Sequence, residues 1–189
     1  MATIYLLLGF PGTGKYTVAV EVARQLEGDG HPVRLIDNHT VADVLFPLAP
    51  QADGRSPLPS ELIDRVRDIN EVVLRTIEQL SPTEWSFVFT HHLVESTTNR
   101  EYVARLEALA AQRHARFVPV ILSCDHGELL RRVVQPERRG RKLVDPSRAQ
   151  EIIDEGMLRP VSRDALALDI TSLSPVEAAR AIIDQRSST

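Results

Sequence analysis

The run Gly9-Phe10-Pro11-Gly12-Thr13-Gly14-Lys15-Tyr16-Thr17 has the residue types needed to hold a polyphosphate. Its glycines let the backbone turn tightly, so that successive N–H groups converge on one anion. Lys15 ends the turn with a compact point charge suited to β- and γ-phosphates. The chain has 22 basic residues, and only Lys15 and Lys142 are lysines. Composition drifts to arginine wherever a generic positive charge will serve, so lysine at 15 reads as chosen for an ammonium where a planar fork would not fit. The candidate cofactor contacts are Gly9, Pro11, Gly12, Thr13, Gly14, Lys15, Tyr16 and Thr17. One departure stands out. The pattern G-x-x-x-x-G-K normally continues with Ser or Thr, whose hydroxyl holds magnesium. Here Tyr16 occupies that place, and Thr17 lies one residue later, ~100° around a helix.

Phosphoryl transfer also needs positive charge around the moving group, a metal and a positioned acceptor. The charge lies between Arg131 and Arg148, where Arg132, Arg138, Arg139, Arg141 and Lys142 meet only Glu137 and Asp145 as acids. Such a segment can close over a triphosphate and expel water; the plainer alternative is a solvated basic face. Asp37 is the acid at a strand end near the loop, a candidate for magnesium or for the acceptor's hydroxyl proton. It could equally cap the helix that follows. Asp43 and Asp125 are weaker choices. His39, His91 and His92 are candidates to touch acceptor or phosphate. Neighbours on a strand point to opposite faces, so His91 and His92 are not expected to share a ligand. No Cys/His spacing supports zinc, and Cys124 reads as a small filler.

The elements that position these groups alternate. Ile4 to Leu8 reads as a buried strand before the glycine turn, and Val18, Val22 and Leu26 mark a helix after it. Val33 to Asp37, Ser86 to Thr90, Phe117 to Leu122 and Leu166 to Ile170 are further strands. Ser60 is expected to cap a long helix whose stripe Leu62, Val66, Ile69, Val73, Ile77 and Leu80 is core. Thr98 with Glu101, Asp125 with Glu128, and Ser174 with Glu177 read as capping boxes. The last helix turns Val176, Ala179 and Ile183 inward. Asp145-Pro146 restarts a helix. The Pro47 to Pro59 stretch is a long loop of a kind that often forms a substrate lid on the acceptor side, with a solvated connection as the equal alternative. Alternating strands and helices predict an α/β fold with a parallel sheet covered on both faces, and ligands at the strands' carboxyl ends.

With 189 residues the chain is long enough for one full domain. A net charge of −4 argues against a general nucleic-acid binder. A single cysteine excludes an internal disulfide and suits a reducing compartment. No apolar run approaches membrane-spanning length, so a cytoplasmic address is expected.

Taken together, Gly9 to Thr17, the run Val118 to Val133 with its arginine-rich sequel, and Leu168 to Ala179 resemble the small P-loop kinases. That group holds shikimate kinase, gluconate kinase, chloramphenicol phosphotransferase and the nucleotide kinases. The resemblance implies a P-loop NTPase fold over residues 1–189, with a five-stranded sheet in the order 2-3-1-4-5 and a lid at about 135–145. It implies ATP as donor with Mg2+, and a small-molecule or nucleotide acceptor. By position, Arg132 would lie against the adenine, Arg138 or Arg139 with Arg148 would clamp phosphates, and Asp37 would serve the metal or acceptor. The segment Thr171 to Pro175 would border the adenine through its backbone.

Three functions follow from these residues. The first is an ATP-dependent kinase of a small hydroxylated molecule, with Lys15, Asp37, Arg138 and Arg139 catalytic. The second is a nucleotide binder without transfer, motivated by Tyr16. The third is a dinucleotide-dependent oxidoreductase, because Asp37 follows Gly14 at about the spacing of a ribose-binding acid.

Overall fold

All six residues of the first strand are buried, so packing covers it on every side. The computed structural model describes residues 1–49, 56, 58–135, 143, 145–160, 162 and 164–184. Within these the chain runs β1 (Thr3–Leu8), α1 (Lys15–Gly28), β2 (Val33–Asp37), α2 (Asn38–Ala42), a 3-10 turn at Phe46–Leu48 and α3 (Ser60–Leu80). It continues with β3 (Ser86–His91), α4 (Thr97–Gln112), β4 (Arg116–Ser123), α5 (His126–Val133), α6 (Pro146–Glu155), β5 (Leu166–Asp169) and α7 (Pro175–Asp184). The sheet is parallel, in the order β2-β3-β1-β4-β5. That is the expected α/β P-loop topology. A dinucleotide fold would instead place β2 beside β1, so the oxidoreductase alternative loses its scaffold.

The period-two alternation of β1 divides the core. Tyr5 and Leu7 pack with Val18, Val22 and Leu26 of α1 and with Ala178, Ala179 and Ile182 of α7. Ile4, Leu6 and Leu8 pack the other way, with Leu74 and Ile77 of α3 and Leu106 and Leu109 of α4. A small third cluster joins α5 to α6 through Leu129, Val133 and Ala149, with Phe10 of the glycine loop packed against it. No helix among the described residues is long and apolar enough to cross a membrane.

Several local expectations are corrected. Ser60 is the first residue of α3 rather than its cap; Pro59 holds the cap position with no side-chain bond. Helix α4 is capped by Ser96, which accepts from the Asn99 amide, not by Thr98. In α7 Ala179 is buried and Ile183 packs half-buried against the same core, as expected, whereas Val176 is exposed. Asp125, Asp145 and the Ser174–Glu177 pair cap as expected.

The α3 stripe is core only in part. Leu74 and Ile77 are buried, Leu62, Val66, Ile69 and Val73 are half-buried, and Leu80 is 78% exposed. The reason is length. Twenty-one residues make a helix of about 31 Å, whereas a six-residue strand such as β3 spans only about 20 Å. The helix overhangs the sheet at both ends.

Arg113, 5% exposed, ties the far end of α3 to α4. Its guanidinium donates to the Ile77 carbonyl at 2.8 Å, to Ser81 at 3.1 Å and to Pro82, and stacks 5.2 Å from the Phe87 ring. The last carbonyls of a helix lack intrahelical partners, and this side chain satisfies them from a distance. Arg113→Ala is therefore expected to destabilise the fold by about 3 kcal/mol, with Arg113→Lys recovering only part. Urea denaturation of the three proteins measures it.

Candidate active site

The glycine loop joins β1 to α1 in a closed, braced turn. Gly12 and Gly14 adopt φ of 95° and 96°, which side chains rarely tolerate. At Gly12 a Cβ would also sit 2.9 Å from the Leu129 carbonyl of α5. The Thr13 hydroxyl is fully buried and donates back to the Phe10 carbonyl, and the Thr13 amide bonds the same oxygen at 3.1 Å. Thr13 thus closes the loop rather than offering its hydroxyl to a ligand. The Gly9 amide reaches across to the His91 carbonyl at 3.3 Å, which pins the loop to the end of β3. Helix α1 starts at Lys15 with no side-chain cap, and a helix N-terminus of this kind favours an anion.

The other sequence candidates distribute as follows. Pro11 and Lys15 line a cavity of about 910 Å³ at the carboxyl edge of the sheet, and Arg148 lines its opposite wall. Arg148 is held by Glu151 at 2.6 Å, with Glu155 at 3.8 Å. Arg132 donates to Glu128 at 2.6 Å and to the Thr13 carbonyl at 3.2 Å. Its guanidinium borders Gly14 beside Ile170, next to the Thr171 to Pro175 segment. Tyr16 is 45% exposed on α1, and Thr17 is exposed beside it. Arg138 and Arg139 lie outside the described residues, as do most of the 135–145 lid and residues 50–55 and 57 of the Pro47 to Pro59 loop.

Asp37 is buried at the end of β2. One oxygen accepts from the Thr90 hydroxyl and the other from the His39 amide at 3.2 Å, so it caps α2 as well. It is the strand-end carboxylate that could reach a metal. Among the described residues no group of three or more His, Cys, Asp or Glu could hold one. The described donor set therefore forms no dedicated metal cage, and a magnesium ion here would keep its waters and ride on nucleotide phosphates.

The cavity runs from Lys15 under α2 to the overhanging half of α3 and the start of α4. His91 and His92 both line it. The strand rule does not separate them because β3 ends at His91, and His92 turns beyond the pleat. His91, 7% exposed, shares a 2.8 Å hydrogen bond with the Tyr102 hydroxyl, ring edge to ring face at 4.9 Å. Burial, with the Lys15 charge second, lowers its pKa to about 3. The same two causes lower His92 to about 4. Burial pushes the Tyr102 phenol up. Both imidazoles and the phenol are thus neutral at physiological pH. His92 stacks 5.6 Å from Phe10, and its Nε2 is buried with no hydrogen-bond partner among the described residues. Tyr102 lies on α4. Its pairing with His91 carries no local signal, because the two sit on different elements.

Residues 4–164 match a protein-family model described as an AAA domain. No curated protein matches. Among solved structures, a gluconokinase from Sinorhizobium meliloti 1021 has 15% identity and a TM-score of 0.63, covering 98% of this chain and 91% of its own. The APS kinase CysC of Mycobacterium tuberculosis, solved with AMPPNP and APS, has 21% identity and a TM-score of 0.65 over 99% and 98%. A tunicamycin resistance protein from Deinococcus radiodurans has 19% identity and a TM-score of 0.56 over 100% and 98%. At these identities the likeness is one of fold.

Two outcomes follow from the site's geometry. Gly12→Ala combines a positive φ with a backbone clash, so the loop must deform. Expected is a loss of roughly 1–3 kcal/mol in stability, read by thermal denaturation. The second concerns pH. Unfolded histidine takes up a proton near pH 6.5, whereas folded His91 stays neutral until about pH 3. Stability from its burial is complete above 6.5 and is lost as pH falls towards 3, at up to ~1.4 kcal/mol per pH unit. His91→Gln should flatten the stability–pH slope between 6.5 and 4, measured by urea titrations across that range.

Proposed function

The chain belongs to the AAA domain family, and on that premise we propose that it is an ATP-dependent phosphotransferase acting on a small hydroxylated metabolite or nucleotide. The single observation that carries this reading is that an acceptor-sized cavity opens on Lys15, the residue that ends the glycine loop. From Lys15 the cavity extends to α3, α4 and α6, which leaves room for an acceptor beside the loop.

In this scheme the loop amides and Lys15 hold the β- and γ-phosphates of ATP, and the start of α1 adds its dipole. Arg132, held by Glu128 beside Gly14, flanks the base on the side of Ile170 and Thr171. Arg148 faces the phosphates from the cavity wall, with Arg138 and Arg139 as the further cations that neutralise charge developing during transfer. Asp37, oriented by Thr90 and the His39 amide, aligns the acceptor hydroxyl or takes its proton. Magnesium, when bound, would neutralise phosphate charge, with Asp37 as its protein ligand. A cytoplasmic setting suits the reading, and the free Cys124 is compatible with it.

Tyr16 supports a second reading, nucleotide binding without transfer, because it stands where the metal-binding hydroxyl is usual. The two readings diverge in one calorimetric series. ATP should bind in either case, and an affinity that depends little on magnesium marks the binder. Lys15→Ala should weaken binding about 10- to 100-fold; unchanged affinity there would remove the phosphate-loop assignment. ADP release across a broad acceptor panel then separates them: turnover supports the phosphotransferase, and silence that Tyr16→Ser relieves supports the binder.

A further inference from the structure

One face of α5 meets the glycine loop at several points. The Leu129 carbonyl stands 2.9 Å, and Val133 Cγ2 3.0 Å, from where a Cβ at Gly12 would lie. Arg132 donates through Nη1 to the Thr13 carbonyl at 3.2 Å. The start of the same helix is tied to the segment after β5, where the Asp125 amide donates to the Thr171 hydroxyl at 2.8 Å. Helix α5 is thus seated on two segments, and Arg132 leaves it from a fixed base.

The Arg132 contact falls on one particular peptide. The Thr13–Gly14 bond is trans, and in a trans peptide the carbonyl and the following N–H point opposite ways. A Thr13 carbonyl drawn out to Arg132 therefore sends the Gly14 N–H towards the inside of the loop. Gly12 and Gly14 stand on either side of Thr13. Glycine admits either orientation of an adjoining peptide, so the local sequence leaves this plane undecided, and a cationic donor on the carbonyl fixes it. Arg132 is itself held. Glu128, one turn earlier, accepts from its Nε at 2.6 Å, and with the two side chains 28% and 25% exposed, water screens the pair only in part. The same carboxylate takes Nε and Nη2 of Arg131, each at 2.7 Å, which restricts its rotamers. A planar fork bonds Glu128 and Thr13 at once, as a lysine ammonium on a flexible stem would not.

Resting on the phosphate-loop reading above, we propose that Glu128 and Arg132 form a brace for the donor's phosphates. Arg132 locks the Thr13–Gly14 peptide with its N–H turned to the anion, and Glu128 fixes Arg132. Both are positioning residues in this role, which is separate from the base contact assigned to Arg132 above.

Inorganic tripolyphosphate, which carries no base, separates the two roles. Calorimetry on the full-length protein compares it with ATP. Arg132→Leu should weaken tripolyphosphate about 10-fold; an unchanged affinity leaves Arg132 with a base contact alone and overturns the brace. Glu128 decides by sign. Removing a carboxylate near the loop strengthens phosphate binding on charge grounds alone, whereas releasing Arg132 weakens it. Expected for Glu128→Ala is a loss of about 5-fold, with Glu128→Gln, which keeps an acceptor oxygen, between it and the wild type. Equal or tighter binding by Glu128→Ala overturns the proposal. In the Arg132→Leu background Glu128→Ala should weaken tripolyphosphate no further; additive losses would make Glu128 merely structural and remove its role. A wild type that binds neither ATP nor tripolyphosphate removes the phosphate-loop reading and the brace with it. A wild type that binds both, with Glu128→Ala failing as stated, removes the brace alone.

Discussion

The whole arrangement depends on the seating of β1 between β3 and β4, with no residue of it reaching water. A strand buried on both faces must be apolar throughout and must send alternate side chains to opposite layers. Once that is met, the chain leaving Leu8 emerges at the carboxyl edge of the sheet, next to the end of β3. The Gly9 amide bonds the His91 carbonyl there. The glycine loop is thus aimed by the sheet, and its neighbours on that edge are settled at the same time.

The loop is also held from outside. Gly12 lies under the Leu129 carbonyl of α5, and Arg132 from the same helix reaches the Thr13 carbonyl. Helix α5 therefore carries both a brace and a candidate nucleotide contact, and it is itself joined to α6, which bears Arg148. Movement of α5 would be felt at both the loop and the cavity wall. Packed interfaces pass on such displacements because they do not deform continuously.

The cavity exists because one helix is longer than the sheet it covers. The amino-terminal half of α3 borders the cavity that Lys15, His91 and His92 also line, and α2 packs against the same helix. Its apolar stripe is continuous in sequence, yet its burial changes along the helix. Neutral imidazoles beside an ammonium are the other consequence: burial and the Lys15 charge both disfavour a second cation there.

Much of this was legible before any coordinates. The glycine loop, the strand–helix alternation and the caps at Asp125, Asp145 and Ser174 rest on local spacing and stand as read; the strand order stands too, but it came from the family resemblance and not from spacing. The caps at Ser60 and Thr98 were misread because neighbouring residues, Pro59 and Ser96, compete for the same role within the usual boundary uncertainty. In α7 only Val176 departs, exposed in the first turn, while Ala179 and Ile183 face the core as read. The period-3.6 stripe of α3 announced an apolar face but could not say what lay under it.

What the sequence by itself determined is therefore the set of local devices: where backbone can turn, where helices start, and which residue types could meet a phosphate. Only the tertiary structure decided that His91 finds Tyr102, that Thr90 holds Asp37, that His91 and His92 share a wall, and that Arg132 lies on the loop. The Thr90–Asp37 and Arg132–Thr13 contacts join residues 53 and 119 apart along the chain. Their distances are set by sheet order and helix overhang, which no short-range pattern records.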